Sequence, residues 1–416
     1  MRKQITVDQL QVGMFVDALD GSWLDHPFWK SAFKIEQASQ LAQLRTSKVR
    51  TLWIDTSKGL DVPSGAPRAE VVDDCELPVS PAGAPAPDAG LIETARAQPP
   101  VVTVSLQEEV TRARRILGQA RGAMTSMFND VRLGKAVDTE HCLPLVNEIT
   151  QSVGRNPGAI VSLARLKTSD DYTYLHSVAV CALMVSLAKQ LGLNDEDTRE
   201  AGMAGLVHDL GKAMMPLEVL NKPGKLTDAE FTIMKSHPEA GHRMLEEAKG
   251  VGPVPLDVCL HHHEKVNGTG YPHRLKGEAI SIFSRMGAVC DVYDAITSNR
   301  PYKAGWDPAE SVQKMAQWAK EGHFDERVFQ AFVKSIGIFP TGSLVKLQSG
   351  RLAVVVEQGS SSLLHPLVRV FYSTKSKQPI TPEMLDLSKS IDQIVSRESP
   401  QTWGFPHIDQ LWTGQA

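Results

Sequence analysis

The sequence predicts a mainly α protein: a long all-helical domain, preceded by a small α+β module and followed by a small β appendage. Two patterns carry that expectation. Over residues 137 to about 337, apolar side chains recur at helical spacing with no convincing strand alternation. Beyond Gly342 the period falls to two, in Leu344-Val345-Lys346-Leu347, Leu352-Ala353-Val354-Val355-Val356 and Leu367-Val368-Arg369-Val370-Phe371.

Composition narrows the class. With 416 residues, 42% hydrophobic and 22% charged, the chain is an ordinary globular protein of two or three domains. A net charge of −4 gives no global attraction to a nucleic acid polymer, so an anionic ligand must be met by local Lys and Arg. Arg2 and Lys3 precede no continuous apolar segment, and the longest apolar run, near Val178 to Ala188, is short of the roughly 20 residues of a membrane span. A cytoplasmic protein with no membrane contact is expected. The five cysteines (Cys75, Cys142, Cys181, Cys259, Cys290) contain no CxxC pair, which argues against a disulfide framework or a thiolate metal site.

Taken in order, residues 1–60 alternate short strand-like runs with a helix-like segment over 35–44. Trp23, His26, Trp29 and Trp53 there read as core packing, or as a ligand surface. Residues 61–104 are rich in Pro, Ala, Gly and Asp and read as a flexible linker. A connecting helix fills 105–136, with Arg112, Arg114, Arg115 and Arg121 on a solvated face; a signalling helix or a dimer seam is equally open. The helical domain spans 137–340, and the β appendage with its tail spans 341–416.

The chemistry concentrates in the helical domain. A helix over 195–210 places His208 on its apolar stripe, beside Asp209, with Gly211 offering a stop and Lys212 one turn on. His176 lies on the core-facing stripe of a helix over 173–191. Thr227 and Glu230 form a capping box, and His237 falls at the end of that helix, before Pro238. His261-His262-His263-Glu264 follows, and then Asp291 and Asp294 on a helix over 280–297, where Ser284, Ala288, Asp291 and Ala295 make a stripe of small residues. Buried histidines and carboxylates in this number point to metal coordination, because an unpaired buried Asp is costly. All-N/O ligation suits Fe, Mn, Zn or Ni, and the donors suffice for two ions, the standard apparatus for in-line attack on phosphorus. Lys212, Lys222, Lys225, Arg300 and Lys303 offer cations for phosphate, and Gly270 and Tyr271 a close backbone approach and a stacking ring.

These residues resemble the HD-GYP domain, a subgroup of the HD phosphohydrolases. The match lies in His208-Asp209-x-Gly-Lys212, Lys222-Pro-Gly-x-Leu226, His262-His263-Glu264, Asn267-Gly-x-Gly270-Tyr271-Pro272 and Asp291-x-x-Asp294-Ala-x-Thr-x-Asn-Arg300-Pro-Tyr302, over residues 137 to 340. Residues 1–60 look like the small N-terminal module often fused to such domains. The resemblance implies an HD-type helical fold and hydrolysis of cyclic di-GMP to pGpG, or onward to GMP, with effects on biofilm and motility. It implies His176, His208, Asp209, His237, His262, His263 and Asp291 as metal ligands, with Asp209 bridging, and Fe or Mn as the ions, with Zn, Ni or Mg as alternatives. It implies Lys212 and Asp209 as catalytic residues, and Tyr271, Arg300, Lys303, Gly270 and Lys222 as substrate-binding residues. Diguanylate cyclases with GGDEF domains and a second copy of the chain are its partner expectations. Members that bind a third metal carry a glutamate where this chain has Tyr172, beside Asp171, so two ions are expected. A cyclic di-GMP-binding or cyclase-docking module of weak activity is the alternative.

Overall fold

The computed structural model describes residues 2–19, 33–35, 38, 41, 45, 50–61, 103–135, 137–166, 172–299, 305–359, 362–405 and 407–413. The chain divides into two compact units, Met1–Pro99 and Pro100–Ala416. In the first, β1 (Arg2–Thr6), β2 (Phe15–Leu19), β3 (Phe33–Lys34) and β4 (Thr51–Asp55) form an antiparallel sheet in the order β1-β4-β2-β3. Alternation puts Ile5, Val16, Leu52 and Ile54 on its buried face. Most of the helix expected over 35–44, and Trp23, His26 and Trp29, fall outside the described residues; Trp53 is half-buried in β4.

The second unit opens with α1 (Leu106–Arg132), capped by Ser105 and Glu108 in a capping box. Leu106, Val110, Ala113, Ile116, Ala120, Met124, Phe128 and Val131 form one buried stripe that joins the main core. This helix is therefore part of the helical body rather than a separate connector, while Arg112, Arg114, Arg115 and Arg121 are exposed as expected. Next come α2 (Leu143–Arg155), α3 (Pro157–Arg165), α4 (Tyr172–Gln190) and α5 (Asp195–Val207). The site-bearing elements follow: a 3-10 turn at Leu210–Met214, α6 (Leu217–Leu220), α7 (Asp228–Met234), α8 (His237–Glu246), α9 (Pro253–His261) and α10 (Ile282–Thr297). The helices α11 (Pro308–Lys320) and α12 (Glu326–Ile336) close the domain. Among the described residues no helix is long and apolar enough to cross a membrane. Cys142, Cys181, Cys259 and Cys290 are free and buried; Cys75 falls outside the described residues.

The appendage is a five-stranded antiparallel sheet of β5 (Leu344–Leu347), β6 (Arg351–Glu357), β7 (Leu367–Ser373), β8 (Gln378–Asp386) and β9 (Ile394–Arg397), in the order β8-β7-β6-β5-β9. Period two divides its faces. Leu352, Val354 and Val356 of β6 enter the core around α1, while Ala353 and Val355 pack with Val345, Val368 and Val370 in a core of the sheet's own.

One polar link inside the helical body was not legible from periodicity. Glu109 of α1 is fully buried and accepts from Arg155 Nε at 2.7 Å, Arg155 Nη2 at 2.8 Å and Ser152 Oγ at 2.8 Å, which pins α1 to α2. Burial works against this carboxylate, yet Arg155, Ser152 and Arg112 hold its pKa below the usual value. Its contribution to stability is therefore present above the unfolded carboxyl pKa of about 4.3 and is lost as pH falls through the lower folded value. Replacing Glu109 with Gln should cost about 3 kcal/mol at pH 7 by urea denaturation, with the difference from wild type shrinking in acid; a loss below about 0.5 kcal/mol would contradict this role.

Candidate metal centre

The centre forms where the end of α5, the start of α8 and the end of α9 meet the flanks of α4 and α10. His176 lies in the first half of α4. The helix α5 ends at Val207, His208 is its C-cap, and Asp209 follows with φ −102° and ψ 11°. The expected helix over 195–210 therefore stops short, and Lys212 sits in the 3-10 turn, three residues on from Asp209. Gly211 is not among the positive-φ glycines and does not act as a left-handed stop. Its role is close approach: a Cβ there would lie 1.9 Å from the His237 carbonyl oxygen and 2.5 Å from Gly241 N, so only glycine lets this turn rest on α8. His237 opens α8 instead of ending the capped helix, because Pro238 is tolerated in a first turn. His262 is the C-cap of α9, His263 follows it, and Asp291 lies in α10.

These residues make two sets of donors, each with ligand atoms within 4.8 Å of one another: Asp209, His237, His262 and His263, and His176, His208 and Asp291. Asp209 joins them. Its Oδ1 faces His237 Nε2 at 3.2 Å and His262 Nε2 at 3.7 Å, while Oδ2 faces His176 Nε2 at 3.4 Å and His208 Nε2 at 3.5 Å. Asp291 Oδ1 lies 3.0 Å from His176 Nε2, and its Oδ2 lies 3.8 Å from His263 Nδ1.

The histidines are held in a ligand tautomer by the ring nitrogen that faces away. Nδ1 of His208 donates to Gly205 O at 2.8 Å, that of His237 to Met234 O at 2.7 Å, and that of His262 to Val258 O at 3.0 Å. A carbonyl can only accept, so each Nδ1 bears the proton and each Nε2 lone pair points at the shared space. His176 Nδ1 is held in the same way by Asp294 Oδ2 at 2.6 Å, and Ser298 Oγ donates to the other oxygen of Asp294.

The donor atoms fit a metal ion. Among the described residues, His208 Nε2 and Asp209 Oδ1 are buried without any hydrogen-bond partner, an expensive state that coordination would relieve. Burial opposes charge on Asp209, but the Lys212 ammonium and the surrounding imidazoles hold its carboxyl well below the usual range. Burial and neighbouring histidines keep His262 well below its usual pKa, and burial takes His263 down to about 3, so both are neutral and ready to ligate. His176 goes the other way: burial disfavours its charge, yet Asp209, Asp291 and Asp294 lift it to about 10.

The loop after the His pair closes one side. Glu264 is buried and accepts from the backbone of His273 at 2.7 Å and of Leu275 at 3.1 Å, which ties residues 273–275 to the end of α9. Gly270 is needed because a Cβ there would lie 2.4 Å from Lys265 N. The Tyr271 ring stacks on His263 with centroids 4.7 Å apart, and Phe231 meets it edge-on. A cleft of about 750 Å³ opens beside this loop, lined by Tyr271, Lys235, Lys265 and Arg274 among others.

Of the residues expected at the site, the structure brings together His176, His208, Asp209, Lys212, His237, His262, His263 and Asp291, with Tyr271 and Gly270 alongside. Lys212 donates from Nζ to Asp209 Oδ2. Lys222 is held elsewhere, on the Glu230 carboxylate at 2.6 and 2.8 Å. Arg300, Lys303 and Asp171 fall outside the described residues, as does the side chain of Tyr172. Asp294 and Glu264 have no individual role that the sequence alone assigns. Asp294 lies three residues after Asp291 on the same helix face, and that spacing was the available signal.

A helical domain that gathers such donors into one buried cluster has the character of an HD domain, and comparison with known proteins agrees. Residues 153–328 match the HD domain model, and residues 2–142 match a domain of unknown function, DUF3391. The latter match runs on through residues 61–104 and α1. The cyclic di-GMP phosphodiesterase PA4108 of Pseudomonas aeruginosa is 52% identical over 100% of this chain and 97% of its own. The cyclic di-GMP phosphodiesterase response regulator RpfG of Xanthomonas campestris is 34% identical, covering 47% of this chain and 51% of its own. The 3′3′-cGAMP-specific phosphodiesterase 1 of Vibrio cholerae is 35% identical, covering 47% and 46%. The chain belongs to the HD-GYP phosphodiesterases of the HD superfamily.

Two expectations follow. Asp294→Asn should weaken metal retention roughly 10- to 100-fold against a chromogenic chelator, through loss of the carboxylate behind His176; unchanged release would remove that role. Gly211→Ala should separate the 3-10 turn from α8 and lower both metal content and melting temperature, and a variant that keeps both would refute the close-approach argument.

Proposed function

We propose that the chain hydrolyses cyclic di-GMP to pGpG, with GMP as a further product, at a centre of two divalent ions, Fe or Mn in preference to Zn, Ni or Mg. The observation that carries the reading is the Asp209 carboxylate, one oxygen toward each histidine set. When bound, such ions supply Lewis acidity toward phosphoryl oxygens and activate water. The full-length relative named a cyclic di-GMP phosphodiesterase supports the substrate.

Each residue then has a task. Asp209 and Asp291 supply the negative charge that retains the ions. Lys212 is partly exposed while its ammonium rests on Asp209, so it can steady charge developing on a phosphoryl oxygen without moving far. The Tyr271 ring, fixed against His263, borders the cleft and offers an apolar wall to a guanine. Gly270 lets the loop backbone come close, and Arg300 and Lys303 are assigned to the nucleotide phosphates. Lys222 would have to leave Glu230 to join them.

His208→Ala and Asp209→Ala should each lower turnover of cyclic di-GMP by roughly 1000-fold or more with circular dichroism unchanged, and Lys212→Met by about 100-fold with metal content retained. Wild-type rates in the first two would refute the site. Because some relatives are named for 3′3′-cGAMP, both dinucleotides belong in the assay; turnover of 3′3′-cGAMP alone would keep the phosphodiesterase and replace the substrate.

A further inference from the structure

A second cavity lies between α3, α4, α10, α12 and the end of β6. Its volume is about 390 Å³, within the range of small-molecule sites. Arg165 of α3, Lys189 of α4 and Lys334 of α12 reach it from three separate helices. The carboxylates in its wall are engaged: Glu357 accepts from Asn156 Nδ2 at 2.8 Å, and Asp294 accepts from His176 and Ser298.

Two of these cations, Arg165 and Lys189, are poorly matched. The Arg165 side chain is 11% exposed, yet among the described residues it makes one hydrogen bond, to Thr341 O at 3.4 Å, and one ion pair, to Asp409 at 3.9 Å. Lys189 is exposed and has no ion pair among the described residues. Burial pulls the Lys334 ammonium down to about 8, so it remains charged at neutral pH. A guanidinium with most of its donors unused, two ammonium groups and the hydroxyls of Ser162 and Ser186 suit a phosphate group. The rest of the wall differs in character. Val161, Leu183, Tyr293 and Ile336 make it apolar, and Gln358 Oε1 is buried without a hydrogen-bond partner among the described residues. A bare phosphate would use neither feature, whereas an organic phosphate with a flat or apolar body and an N–H or O–H donor would use both.

We propose that this cavity is a second ligand site, separate from the metal centre, which takes an organic phosphate of mononucleotide size. Asp294 stands in its wall and also holds the metal ligand His176, so occupancy is sensed at the metal centre through one side chain.

The test is calorimetric titration of the metal-loaded full chain with 5′-GMP and, side by side, with inorganic phosphate. For wild type, 5′-GMP should bind at least tenfold more tightly than phosphate. Lys189→Glu, a change at an exposed position, should weaken 5′-GMP at least tenfold, and Asp209→Ala by no more than the few-fold that the link to the metal centre carries. Binding that ignores Lys189→Glu, or that vanishes in Asp209→Ala, would overturn the site; equal affinities for phosphate and 5′-GMP would overturn the organic ligand. For the link, 5′-GMP should slow chelator-driven metal release at least threefold in wild type and not in Lys189→Glu, and an unchanged rate would sever it. None of these readouts depends on turnover of a cyclic dinucleotide, so the outcome is independent of the proposed reaction.

Discussion

Two groups of imidazoles share one buried carboxylate, and keeping Asp209 ionised away from water governs what the surrounding helices must do. A lone carboxylate in such a place would be driven to take up a proton. Asp209 instead has an ammonium on one side and imidazoles on the others, which leaves its two oxygens facing different histidine sets. That arrangement needs helix ends within a few ångströms of each other. Gly205 against the α4 backbone, Gly211 against α8 and Gly241 against Cys259 remove the side chains that would keep them apart.

The helix ends also solve the orientation of the imidazoles. Carbonyls in the last turn of a helix lack partners within it. His208 and His262, as C-caps of α5 and α9, donate from Nδ1 to carbonyls three or four residues back, and His237 does the same to Met234. Each of these hydrogen bonds fixes the tautomer of its ring. His176 lies inside a helix whose carbonyls are used, and it turns to Asp294 for the same purpose. Asp294 is therefore the one support of the centre that comes from a side chain rather than a helix terminus among these four histidines.

Residue type and spacing made much of this legible. The helical domain, the strand alternation after Gly342 and the donor types could be read from period and chemistry, and the motif resemblance then singles out the candidate ligands individually. The misreadings were local. Gly211 looked like a helix stop because a glycine after an apolar stripe usually is one, but its purpose is set by the α8 backbone, which lies far along the sequence. Before Pro238, His237 reads as the end of one helix, although the same proline sits in the first turn of the next. Glu109 was hidden for a related reason: a charged residue on α1 reads as solvated unless Arg155 and Ser152 are known to lie opposite. Lys222 looked like a free cation for phosphate, and its pairing with the Glu230 that completes a capping box was visible only in three dimensions.

The most direct test of the central claim is anomalous diffraction from crystals of the full chain purified without chelator. Two peaks about 3.5–4 Å apart, one on each side of the Asp209 carboxylate, are the expected result. A single peak after metal reconstitution, or a pair with Asp209 touching only one of them, would contradict the shared carboxylate on which the account rests.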